Sequence, residues 1–287
     1  MDGITQADAM AMAPLAGGEQ ARFFTVDRFG GLECLAATFR THRYALHTHD
    51  TYVIGAIVAG CETWRVRGAR HYACPDDLVF VHPHEVHDGE PYGGGYRYRM
   101  TYPSVALLQD IAAQLSGRTG IGTPYFAEPV VRDPPGAALV EAAHCAMEHG
   151  ADPLAADELL TRAYCHCLVH HACIAPTATG REAGAVGRVK ALLADRAAAD
   201  LPLAALATEA GLSPYHLIRA FRRATGLTPH AWRVNLRIER AKARLRRGEA
   251  PADVATATGF CDQPHLTRAF KARVGVTPGA YRLAVAA

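Results

Sequence analysis

Long hydrophobic runs are missing from this sequence: no apolar stretch approaches the ~18–20 residues needed to cross a bilayer, so a membrane-spanning helix is excluded. The segment Met1 to Gly18 lacks the basic start and compact apolar stretch of a signal peptide, reads as a loose tail, and predicts a cytoplasmic protein with no membrane partner. Aromatic residues are few, with two Trp in the whole chain. No Gly-x-Ser-x-Gly, paired-carboxylate or Cys/His nucleophile arrangement stands out, which argues against common hydrolytic chemistries. Gly93-Gly94-Gly95 has no following helix and Lys, so it reads as a hairpin turn and not as a phosphate loop. Eight cysteines in an untargeted chain predict reduced thiols and no disulfide framework. What is present is an ordinary soluble composition: 287 residues, 49% hydrophobic and 20% charged, long enough for two domains with a core each. Global disorder and fibrous repeats are excluded.

Charge is distributed unevenly. From Ala185 to Ala287 there are 17 Lys/Arg against 7 Asp/Glu, a net of +10, while the other 184 residues carry a net of −8. The histidines divide the other way, with 12 of 15 before residue 185. Such asymmetry points to a polyanionic partner for the basic part and a separate task for the His-rich part.

From about Phe23 to Thr101 the chain reads as β. Tyr52–Val58, Glu62–Val66 and Leu78–Val81 are short, rich in β-branched or aromatic residues, and separated by Gly60, Gly68 and Pro75-Asp76. Many short strands at this spacing suggest a barrel or sandwich. Ser104–Gly117 and Gly136–Ile174 turn helical, with breaks at Pro134-Pro135 and Asp152-Pro153. Residues 175–184 are small, polar and broken, and make the best linker. Short helices follow. The expected organisation is a tail over 1–20, a barrel over 21–103, a helical and dimer-forming segment over 104–174, a linker over 175–184 and a helical domain over 185–287.

The basic part repeats itself. Leu206-Ala-Thr-Glu-Ala-Gly211, then Leu217, Arg219 and Phe221, match Val254-Ala-Thr-Ala-Thr-Gly259, then Leu266, Arg268 and Phe270. Gly226-Leu-Thr-Pro229 corresponds to Gly275-Val-Thr-Pro278, and Ala231-Trp-Arg233 to Ala280-Tyr-Arg282. Each copy reads as a helix–turn–helix. A helix stops at a Gly able to take the left-handed conformation, and Ser213 or Asp262 caps the next helix. Leu217/Phe221 and Leu266/Phe270, four apart, mark its buried face. The other face carries Tyr215, His216, Arg219, Arg222 and Arg223 in the first copy. In the second it carries Gln263, His265, Thr267, Arg268 and Lys271. These side-chain types bond base edges and phosphates, and two copies in a +10 segment point to double-stranded DNA rather than to merely solvated faces.

Over its last ~100 residues the chain resembles the DNA-binding domain of the AraC/XylS transcription regulators. The motif is carried by Gly259-Phe260, Asp262-Gln263, Phe270-Lys271, Gly275, Thr277-Pro278 and Tyr281-Arg282. The resemblance implies two recognition helices joined by a long helix, for which His230–Arg247 fits, entering successive major grooves of promoter DNA. Leu236, Ile238 and Leu245 are its buried candidates, and its Arg residues are candidates for further phosphate contacts. RNA polymerase would be a partner if the protein is an activator, and a homodimer suits repeated half-sites.

In the first part, His47-Thr48-His49 precedes a strand-like run, and residues two apart in a strand share a face. About 35 residues later comes His82-Pro83-His84-Glu85-Val86-His87. With Gly60 and Pro75-Asp76-Asp77, the layout resembles the small cupin-like sensor barrel of many AraC-type regulators. The fold class expected is therefore α+β in two domains: a cupin-like β-barrel with trailing helices, and an all-α double helix–turn–helix. His47, His49, Trp64, His82, His84 and His87 are the candidate effector-binding residues. His47, His49 and His87 are also candidate ligands for a divalent transition metal. Metal-binding cupins place a Glu shortly after His-x-His, whereas Val53, Ile54 and Gly55 stand here, leaving Asp50, Glu62 or Glu85 as substitutes. Three readings stay open: pocket groups bonding a small organic effector, metal ligands, or neither. Cys165-His166-Cys167 with His170-His171 has metal-site residue types. On a helix Cys165 and Cys167 point about 200° apart, so at most a subset such as Cys167 with His170 or His171 shares a face, and the cysteines read as buried hydrophobes.

The function expected is a DNA-binding transcription regulator, not an enzyme, controlled by a small-molecule effector in the barrel. The alternative is a metal-dependent, oxygenase-like cupin enzyme or metal sensor carrying a DNA-binding domain.

Overall fold

Among the described residues eight strands form: β1 (Gln20–Val26), β2 (Leu32–Phe39), β3 (Tyr44–His47), β4 (Val53–Val66), β5 (Ala69–Ala73), β6 (Asp77–Val81) and β7 (His87–Tyr102) fall in the expected β-rich stretch, and β8 (Val130–Arg132) lies beyond it, within the segment expected to be helical. The computed structural model describes residues 17–150, 152–175, 182–274 and 276–285, so most of the expected tail, the centre of the expected linker and Gly275 lie outside the described residues. The chain divides into two units, Met1–Ala178 and Thr179–Ala287.

All strand pairs are antiparallel, in the order β1-β2-β7-β4-β6-β8, with β3 on β7 and β5 on β4. The inward positions follow the two-residue period of a pleated strand. Leu35, Ala37 and Phe39 from β2 meet Tyr96, Tyr98, Met100 and Tyr102 from β7, with Val53, Ile57, Trp64 and Val66 from β4.

Two glycine expectations change here. Tyr52–Val58 and Glu62–Val66 belong to one 14-residue strand, β4, because Gly60 makes a register shift and not a break. Gly93-Gly94-Gly95 lies inside β7, opposite that shift, and is not a hairpin turn. Gly60 (φ 65°) and Gly95 (φ 102°) let the backbones close up: a Cβ at Gly60 would stand 2.0 Å from the Gly95 carbonyl oxygen. Asp76 takes the left-handed turn conformation (φ 74°) that glycine commonly fills.

Cysteine use also departs from expectation. Cys61 and Cys74 are joined in a disulfide, brought together where β4 and β5 pair around the Arg67-Gly68 turn; the other six are free. Strand register, invisible in cysteine spacing, set the two Cα atoms 4.4 Å apart.

The helices of this unit are α1 (Val105–Ser116), α2 (Pro134–Glu148) and α3 (Pro153–His171). Ser104, Asp133 and Asp152 cap them by accepting hydrogen bonds from backbone amides. They share the barrel's core: Tyr164 donates to Thr101 Oγ1 at 2.9 Å, and Asp157 accepts from Arg28 Nε at 2.9 Å.

The second unit is helical: α4 (Ala183–Asp195), α5 (Leu203–Ala210), α6 (Pro214–Thr225), α7 (Pro229–Arg246), α8 (Pro251–Ala257), α9 (Gln263–Val274) and α10 (Pro278–Val285). The internal repeat is preserved in packing. Phe221 meets Trp232 edge-on at 6.0 Å, and Phe270 meets Tyr281 in the same way at 5.4 Å, each pair eleven residues apart. On α7, Ile238 and Leu245 are buried as expected, whereas Leu236 is only half-buried and Val234 fills the core position.

Candidate functional sites

The barrel mouth gathers three of the predicted histidines. His47 and His87 are register partners across β3 and β7, and His49 follows two residues later. Their ring centroids are 4.3 Å (His47–His87), 4.8 Å (His47–His49) and 5.1 Å (His49–His87) apart. One ligand nitrogen from each lies within 4.8 Å of the others. His47 Nδ1 donates to the Ala45 carbonyl at 2.8 Å and His87 Nδ1 to the Glu85 carbonyl at 2.9 Å. A carbonyl can only accept, so in the neutral rings these contacts place the proton on Nδ1 and the lone pair on Nε2.

Burial keeps these imidazoles neutral. It lowers His49 to about 3 and His87 to about 4, with the neighbouring imidazoles adding to the effect, and it lowers His47 as well. Burial also raises Glu62 to about 8, with the nearby Tyr96 hydroxyl opposing the shift, so this carboxyl is mostly protonated at neutral pH. The cavity is open to solvent at its mouth and is lined by Tyr44, Trp64, Tyr98 and Tyr102 beside these groups. The buried Trp64 Nε1 donor has no hydrogen-bond partner among the described residues.

A transition metal, which cupin barrels often hold, would find three neutral imidazoles here, two of them held by the carbonyl hydrogen bonds that orient metal-bound histidines. The donor set therefore fits, with the carboxyl groups of Glu62 and Asp88 lining the same cavity. Asp50 is exposed, and Glu85 is paired with Arg67 at 2.6 Å.

His82 and His84 are not brought into this cavity. His82 lies outside it, accepting the Phe126 amide on Nε2 at 2.9 Å, with Arg67 Nη2 2.7 Å from Nδ1. His84 is exposed in a left-handed turn (φ 62°). The loop preceding β7 reverses the chain, so the alternation that would align His82, His84 and His87 on one face is lost.

The second unit presents the two predicted faces on α6 and α9. Ser213 and Asp262 cap them, accepting from the amides of His216 at 3.3 Å and His265 at 2.6 Å. Leu217, Phe221, Leu266 and Phe270 are fully buried beneath. Arg222, Arg223, Gln263, Arg268 and Lys271 are exposed, while Tyr215, His216, Arg219, His265 and Thr267 are half-buried. Arg219 lies over the Tyr215 ring at 5.3 Å, His216 Nδ1 is 3.1 Å from Ser213 Oγ, and Arg223 pairs with Glu182 at 3.2 Å. His265 Nδ1 is 2.9 Å from Cys261 Sγ.

Two arginines on α7 leave the set of candidate phosphate contacts. Arg233 and Arg237 are among the most buried side chains, donating to the Ala199 carbonyl (3.2 Å) and the Ala197 carbonyl (2.6 Å) respectively. They tie α7 to the segment between α4 and α5, so their charge is spent on unsatisfied carbonyls inside the fold.

A family model for the AraC-like ligand-binding domain matches residues 29–163, and one for a helix-turn-helix domain matches residues 206–284. An uncharacterized HTH-type transcriptional regulator of Bacillus subtilis, YbfI, is 30% identical over 224 residues, spanning 77% of this chain and 80% of that protein. The chain belongs to the AraC family of transcription regulators.

The bifunctional transcriptional activator and DNA repair enzyme Ada of Escherichia coli is 40% identical over 60 residues, which is 21% of this chain and 17% of Ada. Among solved structures, the DNA-binding domain of AdpA in complex with a target DNA matches at 28% identity and TM-score 0.33, covering 34% of this chain and 90% of that one. Apo ToxT from Vibrio cholerae matches at 11% identity and TM-score 0.38, covering 94% and 99%. As an AraC-type regulator the protein binds DNA through its helical part and carries a ligand-binding part before it; it is a regulator and not an enzyme.

The alternating Tyr96, Tyr98, Met100 and Tyr102 of β7 are the signal that could have marked that strand's inward face from sequence. A second cluster adds Asp133, which no spacing in the sequence linked to α3. His166 and His171 of α3 both reach Asp133, while Cys165 and Cys167 are buried. The two cysteines are buried hydrophobes, as expected, and the groups that converge are His166, His171 and Asp133.

Proposed function

We propose that the barrel cavity of this AraC-type regulator receives a small organic effector and that its occupancy controls binding to promoter DNA by α6 and α9. The observation that carries this reading is the cavity itself: neutral His47, His49 and His87, protonated Glu62 and the unpartnered Trp64 indole N–H sit on aromatic walls. Such a site suits an uncharged ligand rich in hydrogen-bonding groups and with an apolar face. Control follows by population shift: the effector must bind one arrangement of the protein better than another.

On the DNA, Arg219, Arg222, Arg223, Arg268 and Lys271 supply phosphate or guanine contacts, and Tyr215, His216, Gln263, His265 and Thr267 complete the two reading faces. The protein works in the cytoplasm; among the described residues no helix is long and apolar enough to cross a membrane. A homodimer formed through α1–α3, and RNA polymerase recruitment if the regulator activates, complete the proposed set of partners.

A second reading is favoured by the two Nδ1–H to carbonyl hydrogen bonds: His47, His49 and His87 hold a divalent transition ion, and the regulator senses it. The deciding experiment measures promoter affinity by fluorescence anisotropy across a small-molecule and metal-ion panel. An organic compound that shifts affinity in the wild type, but not in His49→Ala or Trp64→Phe, supports the first reading. A shift by Zn(II), Fe(II) or Ni(II) alone, lost in His87→Ala, supports the second. Affinity indifferent to all of them in a panel that saturates the cavity overturns both.

A further inference from the structure

Away from the barrel cavity, the first unit carries a second convergence of metal-binding groups. Asp133 immediately precedes α2, and His171 is the last residue of α3. His166 Nε2 and His171 Nε2 each lie 2.7 Å from the same oxygen, Asp133 Oδ2. The other oxygen, Oδ1, accepts the Gly136 amide at 2.9 Å, so the carboxylate is held in place independently of the histidines. All three ligand atoms lie within 4.8 Å of one another. The side chains keep 12–19% of their surface exposed, enough for an ion to enter from solvent. His170, itself exposed, has its ring 4.4 Å from that of His166.

We propose that Asp133, His166 and His171 form a binding site for a divalent transition ion of the Zn(II) class, closing the open end of the α2–α3 hairpin. Two imidazole N–H groups crowded on one carboxylate oxygen is the proton-filled form of such a site. A tetrahedral ion with bonds of about 2.0–2.2 Å sets its ligands about 3.3 Å apart. Its entry therefore asks for roughly half an ångström of widening, within reach of side-chain rotation. Each imidazole moves its proton to Nδ1 and offers Nε2, so the ion meets two neutral imidazoles and one carboxylate. The fourth position is left for water or for His170. The two ligand histidines are five residues apart on one helix and the third ligand lies more than thirty residues earlier, so the ion links two helix termini that the backbone joins only through the far end of the hairpin.

The test uses tag-free full-length protein in which His47, His49 and His87 are replaced by Ala, so that only sites outside the barrel cavity are scored. After loading with Zn(II) and dialysis against metal-free buffer, this protein should retain about one equivalent by atomic absorption and show a raised Tm. His166→Gln, His171→Gln or Asp133→Asn, the last keeping a cap for α2, should each abolish both effects while leaving the circular dichroism spectrum unchanged. Cobalt(II) should give a visible absorption band in the parent and none in these variants. A parent that retains no zinc, or folded variants that retain as much as the parent, overturns the proposal. Because the barrel histidines are already removed, neither result bears on the effector cavity.

Discussion

His47 and His87 face each other across paired strands, rings 4.3 Å apart, each with its Nδ1 proton held by a backbone carbonyl two residues earlier in the chain. The pairing turns two ordinary side chains into a matched set, with both Nε2 atoms presented beside His49. The consequence is electrostatic as well as geometric, because burial that forbids a charge on these rings ties the fold to pH.

His87 is lowered by burial from an ordinary 6.5 to about 4, and His49 to about 3. The unfolded chain therefore takes up protons below about pH 6.5 that the folded barrel refuses, and stability falls as pH drops from there towards 4. Urea midpoints should decline between about pH 7 and about pH 5, and the decline should be shallower in His87→Gln. Equal slopes in variant and wild type would show that these rings are not buried in the neutral form.

Glu62 has the opposite sign. Its carboxyl is raised by burial to about 8, above its unfolded value, so the stability it contributes is present in acid and lost as pH rises through that value. Glu62→Gln mimics the protonated form and should gain on the wild type progressively between about pH 5 and about pH 9, read as the difference in Tm. A constant difference over that range would contradict the assignment.

Arginines of the second unit should separate into two behaviours. Arg268→Ala should weaken promoter binding and reduce the slope of log affinity against log salt by about 1, with little change in Tm. Arg237→Ala should instead cost about 2–4 kcal/mol of stability, since it opens a cavity and leaves the Ala197 carbonyl unpaired. Anisotropy titrations at several salt concentrations and thermal melts on the same samples distinguish them; a reduced salt slope in folded Arg237→Ala would put that residue on the DNA.

The Cys61–Cys74 bond predicts a simple count. Alkylation of the denatured, unreduced chain should label the six free cysteines, and prior reduction should expose all eight. Opening the bond should destabilise the barrel by about 2–3 kcal/mol, the scale for a loop of this length. Eight labels before reduction would show the pair to be open.

Local signals account for what could be read in advance. Each helix–turn–helix is written in short-range terms: a glycine stop at Gly211, a cap at Ser213 or Asp262, and apolar residues four apart at Leu217/Phe221 and Leu266/Phe270. Those rules act within a few residues, so the sequence carried them, as it carried the barrel's alternating strands and the pairing of His47 with His49 and His87. Other features depended on which distant segments meet. Register placed Cys61 against Cys74 and left His82 and His84 outside the cavity. Helix packing buried Arg233 and Arg237 against carbonyls that no pattern on α7 announces. Capping fixed Asp133 at the start of one helix, where the last turn of another could bring His166 and His171 to the same oxygen. Spacing along a chain encodes periodicity and caps, whereas convergence of side chains from separate elements is set by tertiary packing alone.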